Sequence, residues 1–130
     1  MHRILIVDDS PTIRKMVRAS LTGVAGTEFV EAGSGLEAIE QLALGSVQLI
    51  VLDLNMPDMH GIEVLKFVRA HRTHHGIPII VLTTRGDDTS RTTAADAGAT
   101  TYLTKPFAPQ VLASAARSLL ALDSTPVHPG

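Results

Sequence analysis

Three short apolar runs constrain this chain more than any other feature, because each ends in a polar residue equipped for chemistry. Ile4-Leu5-Ile6-Val7 runs into Asp8-Asp9, Val47-Gln48-Leu49-Ile50-Val51-Leu52 into Asp53, and Ile77-Pro78-Ile79-Ile80-Val81-Leu82 into Thr83-Thr84. Runs this short, rich in Ile and Val, read as strands buried on both faces of a sheet. Segments of helical period separate them, which predicts a parallel sheet covered by helices. In an open parallel sheet the carboxyl ends of the strands share one edge, and ligands bind there. Three carboxylates and a hydroxyl are therefore expected to meet at one point. Clustered carboxylates suit a hard divalent cation, Mg²⁺ above all.

The helices carry their own punctuation. Ser10-Pro11 supplies an N-cap and a proline at the first helical position, ahead of Ile13, Met16, Val17 and Leu21, and Gly23 ends that run. Ser34 caps a second helix, predicted to turn Leu36, Ile39, Leu42 and Ala43 inward, and Gly45 stops it. A third follows Gly61 with Ile62, Leu65 and Val68 on one face. A weak fourth spans Asp87–Ala97 and closes at Gly98, and the last runs from about Ala108 to Leu122. The remaining strands are expected at Glu28–Glu31 and Thr100–Leu103, and Asn55-Met56-Pro57-Asp58 reads as a turn. Five strands alternating with five helices give an α/β doubly wound domain, expected over residues 1–122, with 123–130 as a short tail.

Composition narrows the function. A chain of 130 residues suits one domain that buries roughly two-thirds of its unfolded surface. With no Trp and one Tyr, the core must be aliphatic. Eleven basic and 13 acidic residues give a net charge of −2, so nothing favours nucleic-acid or membrane-surface binding. The absence of cysteine excludes thiol catalysis and cysteine metal sites. The apolar runs are too short for a bilayer, and Met1-His2-Arg3 leads straight into a strand, so a cytoplasmic protein is expected. His71, His74 and His75 cluster before the fourth strand, where a solvated loop is a simpler reading than a metal site.

Asp8-Asp9-Ser10, the segment from Asp53 to Gly61, Thr83-Thr84, and the segment from Ala97 to Phe107 with Lys105-Pro106 resemble the bacterial response-regulator receiver domain. Within that family the chain looks most like the stand-alone chemotaxis, CheY-like type. Each motif is weak alone; all four, in order and in the right strand context, are specific. The resemblance covers residues 3 to 122 and implies a flavodoxin-like (βα)5 fold with strand order 2-1-3-4-5, for which the chemotaxis protein is a standing example.

The resemblance also implies roles. Asp53 is the phosphoacceptor, a carboxylate nucleophile that forms an acyl phosphate. Asp9 holds Mg²⁺ directly, Asp8 through water, and Asn55 through its backbone carbonyl. Thr83 donates to the phosphate; it lies 30 residues after Asp53 and 22 before Lys105, matching the family spacing. Lys105 pairs with a phosphate oxygen, and Pro106 follows a cis bond. Tyr102 is the aromatic of the switch, turning inward as Thr83 moves. The plainer readings are a strand-end cap for Asp53, a solvated lysine for Lys105, and helix-start acids for Asp8 and Asp9, the last of which is compatible with metal binding. Mutual repulsion among the three acids is expected to raise some of their pKa values.

The partners implied are a histidine kinase as phosphodonor and a target protein on strand five with its flanking fourth and fifth helices. A monomer is expected, because Arg117 is the only basic residue of the last helix. The reading is a switch rather than an enzyme, in chemotaxis or flagellar motor control, with a phosphorelay shuttle or a receiver regulating another protein as alternatives. Two other classes share the fold. An aspartyl-phosphate phosphatase typically carries a second Asp two residues after its nucleophile, where Asn55 stands, and a substrate cap domain that is missing here. A nucleotide-binding flavodoxin-like domain needs a Gly-rich loop after strand one, where Asp8-Asp9-Ser10-Pro11 is acidic. Thr84 and Arg85 differ from the best-known chemotaxis regulators, which often have alanine and an acidic residue there.

Overall fold

The computed structural model describes residues 2–24, 26–56 and 59–124. Pro57-Asp58 of the expected turn and residues 125–130 of the expected tail lie outside them. The elements alternate throughout: β1 (His2–Val7), α1 (Pro11–Leu21), β2 (Thr27–Ala32), α2 (Gly35–Leu44), β3 (Leu49–Leu52), α3 (Gly61–Ala70), β4 (Ile79–Thr83), α4 (Asp88–Ala97), β5 (Thr101–Thr104) and α5 (Pro109–Ser124). All five strands are parallel, in the order β2-β1-β3-β4-β5. This is the flavodoxin-like doubly wound arrangement that the resemblance implies.

Successive strand residues point to opposite faces, and both faces are covered. Leu5, Val7, Ile50, Leu52, Ile79 and Val81 pack with α2, α3 and α4 through Leu42, Val64, Leu65, Val68 and Ala94. Ile4, Ile6, Leu49, Val51, Ile80 and Leu82 pack with α1 and α5 through Val17, Leu21, Leu112, Ala116 and Leu120. Burial on both faces is why these strands read as continuous apolar runs rather than alternating ones. Edge strand β5 is half-buried along its whole length.

The caps at Ser10 and Ser34 form as expected, and Asp87, expected as the first residue of the fourth helix, is its cap instead. Ser10 Oγ accepts from Ile13 N–H at 3.2 Å with Pro11 behind it, and Ser34 Oγ accepts from Glu37 N–H at 3.1 Å. Glu37 also accepts from the N–H of Gly33, the residue before the cap, at 2.6 Å, tying the helix start to the incoming chain. Asp87 caps α4 through Ser90 N–H at 3.0 Å, and Gly98 ends it in the left-handed region at φ +112°.

Some expectations need correction. On α2 the buried residues are Gly35, Ala38 and Leu42, whereas Leu36 is 58% exposed and Ala43 is also exposed. The buried stripe includes Gly35, which sits so close to Met59 that an added Cβ would come within 3.0 Å of Met59 Cγ, and Leu36, one residue on, falls outside that stripe. On α1, Met16 is 47% exposed because the inward stripe runs through the partly buried Ile13 to the buried Val17 and Leu21, at intervals of about one turn. Helix α5 continues through Ser124, two residues past the expected end.

Candidate functional site

Parallel pairing brings the chemistry-bearing residues to one edge. The ladder reaches past the strand ends: Asp8 N–H donates to Ala32 carbonyl at 3.1 Å, Asp53 N–H to Val7 carbonyl at 2.9 Å, and Lys105 N–H to Thr83 carbonyl at 2.8 Å. These bonds fix the backbones of two acids and the lysine before any side chain acts. One carboxylate oxygen from each of Asp8, Asp9 and Asp53 lies within 4.8 Å of the others. Among the described residues this is the only group of three or more His, Asp or Glu side chains that converges so closely.

The three acids have different surroundings. Asp8 and Asp53 are buried and Asp9 is exposed. Asp8 accepts from Ser10 N–H at 2.9 Å with one oxygen and from Lys105 Nζ at 2.6 Å with the other. The same ammonium stands 3.4 Å from Asp53 Oδ2, while Asp53 Oδ1 accepts from Asn55 N–H at 3.2 Å. Burial is the main reason the Asp53 carboxyl titrates above its ordinary value. The Asn55 N–H and the Lys105 charge oppose that rise, and the neighbouring Asp8 charge adds to it. Repulsion among the acids, expected as the cause, is therefore the lesser part.

Thr83 ends β4 with its side chain fully buried, and its Oγ1 has no hydrogen-bond partner. A buried hydroxyl left unpaired is costly unless it serves an incoming group. Tyr102 is half-buried; its hydroxyl donates to the Arg85 carbonyl, and the Arg91 guanidinium carbon lies 4.8 Å from its ring centroid. Arg85 donates through Nε to Asn55 Oδ1 at 3.3 Å, and Thr84 is exposed. The Lys105–Pro106 peptide is cis.

Two neighbours of the acids escape a reading of sequence pattern. A Cβ added at Gly61, the first residue of α3, would lie 2.6 Å from Leu54 Cα and against the Asp53 carbonyl. Glycine there lets the helix start directly beneath Asp53. Arg14 on α1 donates through Nη1 to the Asp8 carbonyl at 2.7 Å. The histidines lie elsewhere. His71 and His74 stack at 4.2 Å and, with His75, line a cavity of about 790 Å³. It is formed by the α2–β3 and α3–β4 loops, at the sheet edge opposite the acids. Burial, then the His71 charge, holds His74 below its ordinary value.

The strand ends of this (βα)5 sheet thus gather three carboxylates, a hydroxyl and a lysine at one edge, the arrangement of a two-component signalling domain. The chain belongs to the response regulator receiver domain family, whose model matches residues 4–117. It is 38% identical over 123 residues to the chemotaxis protein CheY homolog of Campylobacter jejuni, covering 94% of this chain and 95% of that protein. It is 40% identical over 111 residues to chemotaxis protein CheY1 of Helicobacter pylori, covering 85% and 90%. Among solved structures, the chemotaxis response regulator CheY4 of Vibrio cholerae is similar with a TM-score of 0.84 at 36% identity, covering 92% of this chain and 98% of that one. Receiver domains are signalling switches of two-component systems. No helix among the described residues is long and apolar enough to cross a membrane.

Proposed function

We propose that the chain is a phosphorylation-activated switch: Asp53 accepts a phosphoryl group from a histidine kinase in a Mg²⁺-dependent reaction, and the phosphorylated chain then binds a target protein. The observation that carries this reading is the convergence of Asp8, Asp9 and Asp53 within 4.8 Å, with Lys105 against two of them. The donor set is all oxygen and anionic, which fits Mg²⁺. Asp9 and Asp53 would hold the ion directly, with Asp8 through water and the Asn55 carbonyl completing the protein's share. Bound there, Mg²⁺ supplies charge neutralisation for the acids and for the incoming phosphoryl oxygens.

The chain's own residues do the rest. An Asp53 carboxylate oxygen forms the new bond to phosphorus as the bond to the donor imidazole nitrogen breaks, leaving that nitrogen with the electron pair. Phosphoryl transfer depends on positioning and charge stabilisation. Lys105 offers its ammonium to a phosphoryl oxygen, and the unpaired Thr83 hydroxyl offers a donor. Thr83 moving toward the phosphoryl group shifts the segment whose Arg85 carbonyl holds Tyr102, so the hydrogen bond to Tyr102 is the natural relay to α4, β5 and α5. Such coupling between two states typically amounts to about 1–3 kcal/mol. We assign the target to that face, the receiver unit to residues 1–122 with 123–130 as a tail, and the setting to cytoplasmic control of chemotaxis or the flagellar motor. The isolated chain is assigned as a monomer, which sedimentation measures.

Acetyl phosphate with Mg²⁺ tests the reaction. Intact-mass spectrometry should show one phosphoryl group per chain, lost in Asp53→Asn. Equal labelling of both proteins, or continuous turnover of donor without a labelled chain, would overturn the assignment.

A further inference from the structure

We propose that Arg14 is a positioning residue for the acid cluster, fixing the peptide that joins Asp8 to Asp9 and so aiming the Asp9 carboxylate. The proposal rests on the reading that these acids hold a divalent cation. Asp8 itself is anchored independently: its N–H binds the Ala32 carbonyl, and its carboxylate binds Ser10 N–H and Lys105. Asp9 is different. It is exposed, and among the described residues no hydrogen bond holds its carboxylate. Its direction is set by the backbone that carries it, and the carbonyl of that Asp8–Asp9 peptide accepts from Arg14 Nη1 at 2.7 Å. A rotation of this peptide plane changes ψ of Asp8 and φ of Asp9 together, and swings the Asp9 side chain with them.

The arginine is itself held in place. Its Nε donates to Glu31 Oε1 at 2.9 Å, and Arg18 Nη1 donates to Glu31 Oε2 at 2.8 Å. Only 18% of the Arg14 side chain is exposed. The rigid planar fork of a guanidinium can satisfy a carboxylate and a carbonyl at once, in directions fixed relative to each other, whereas an ammonium is a point charge on a flexible stem. The bonds therefore run from β2 through α1 to the loop after β1. A charge role would act in the opposite sense. A guanidinium near three acids opposes cation binding, and Glu31 offsets that charge, leaving the geometric contribution. Mg²⁺ demands near-octahedral geometry, so the direction of a ligand matters more than it would for Ca²⁺.

The test uses Mn²⁺ as the probe, with free ion counted by electron paramagnetic resonance on the full chain. Arg14→Met should weaken Mn²⁺ binding by about tenfold, the lower end of what loss of a partner that orients a metal ligand costs. Arg14→Lys should recover part of the loss. Glu31→Gln, which keeps its size and serves if Arg14→Met fails to fold, should weaken binding at high salt as well as low, whereas loss of its charge alone would fade as salt rises. The double variant should be no worse than Arg14→Met alone, because the two act through one chain of bonds. Tighter binding in Arg14→Met would mean that only its charge matters. Unchanged binding with a lower melting temperature would mean that it only supports the fold. Either result overturns the proposal. Wild type is measured beside Asp9→Asn. If wild type binds no better than that variant, the cation reading fails and takes this proposal with it. Wild-type binding that survives Arg14→Met and Glu31→Gln defeats the proposal alone.

Discussion

Replacing the phosphoacceptor should make the metal-free protein more stable. Asp53 is 5% exposed, and its charge has one close cation and two close anions. At an effective dielectric constant of about 20, Lys105 at 3.4 Å attracts the ionised carboxylate by about 5 kcal/mol. Asp8, within 4.8 Å, repels it by at least about 3.5 kcal/mol in the same medium. Asp9 is exposed, so its repulsion is screened toward the bulk-water figure of about 1 kcal/mol. The charge interactions nearly cancel, and lost hydration decides the balance. Burial of a polar group with incomplete compensation costs about 1–3 kcal/mol in proteins. Asp53→Asn removes the charge and keeps an oxygen for Asn55 N–H, so it should stabilise the chain by about 1–3 kcal/mol at neutral pH. For a domain of this size that raises Tm by about 3–10 °C.

The pH dependence has a definite sign. The folded chain holds the Asp53 proton at pH values where the unfolded chain, with its ordinary value near 3.8, has released it. Stability therefore falls as pH rises through that interval, and the full penalty is present above the raised folded value. The variant does not titrate there. Its advantage should open with rising pH and close as pH falls toward 3.8. Thermal unfolding of both proteins in metal-free buffer across that range, followed by circular dichroism, is the assay. An Asp53→Asn protein that melts at or below wild type at neutral pH, or a gap that widens on acidification, would refute the argument.

The acids were legible because a parallel sheet sends every strand end to one edge, so an apolar run followed by Asp places that Asp without any other knowledge. Their electrostatics were not. Counting acids suggests repulsion, but the sequence does not show that one lysine, 97 residues from Asp8, lies against two of them while the fold excludes water. The orientation of α2 was misread for a similar reason. Leu36 outranks Gly35 and Ala38 in hydrophobicity, yet the buried stripe runs Gly35, Ala38 and Leu42, with Met59 close against Gly35. Strand order came from family likeness, since parallel pairing links segments far apart and leaves no local mark. Arg14 escaped notice because its acceptor is a backbone carbonyl, a group that every residue carries.

Two further outcomes follow from the surroundings of the acids. Gly61→Ala forces a methyl against the Asp53 carbonyl and Leu54, so it should cost about 1–3 kcal/mol and slow labelling by acetyl phosphate; a variant with wild-type Tm and rate would mean that α3 shifts freely. Arg85→Glu should slow labelling severalfold at low salt, with the difference fading as salt rises, because exposed charges are screened over about 10 Å at 0.1 M. Thr84→Ala, which opens the exposed rim beside it, should speed loss of the phosphoryl group. The arginine substitution isolates charge from switching for a structural reason. Tyr102 is held by the Arg85 backbone carbonyl, not by its side chain, so the hydrogen bond is retained in the variant. The side chain's own tie is a single long bond to Asn55 Oδ1 at 3.3 Å, which leaves the guanidinium available to an anion approaching Asp53. Stopped-flow rates that are equal for wild type and Arg85→Glu at every salt concentration would remove Arg85 from the chemistry.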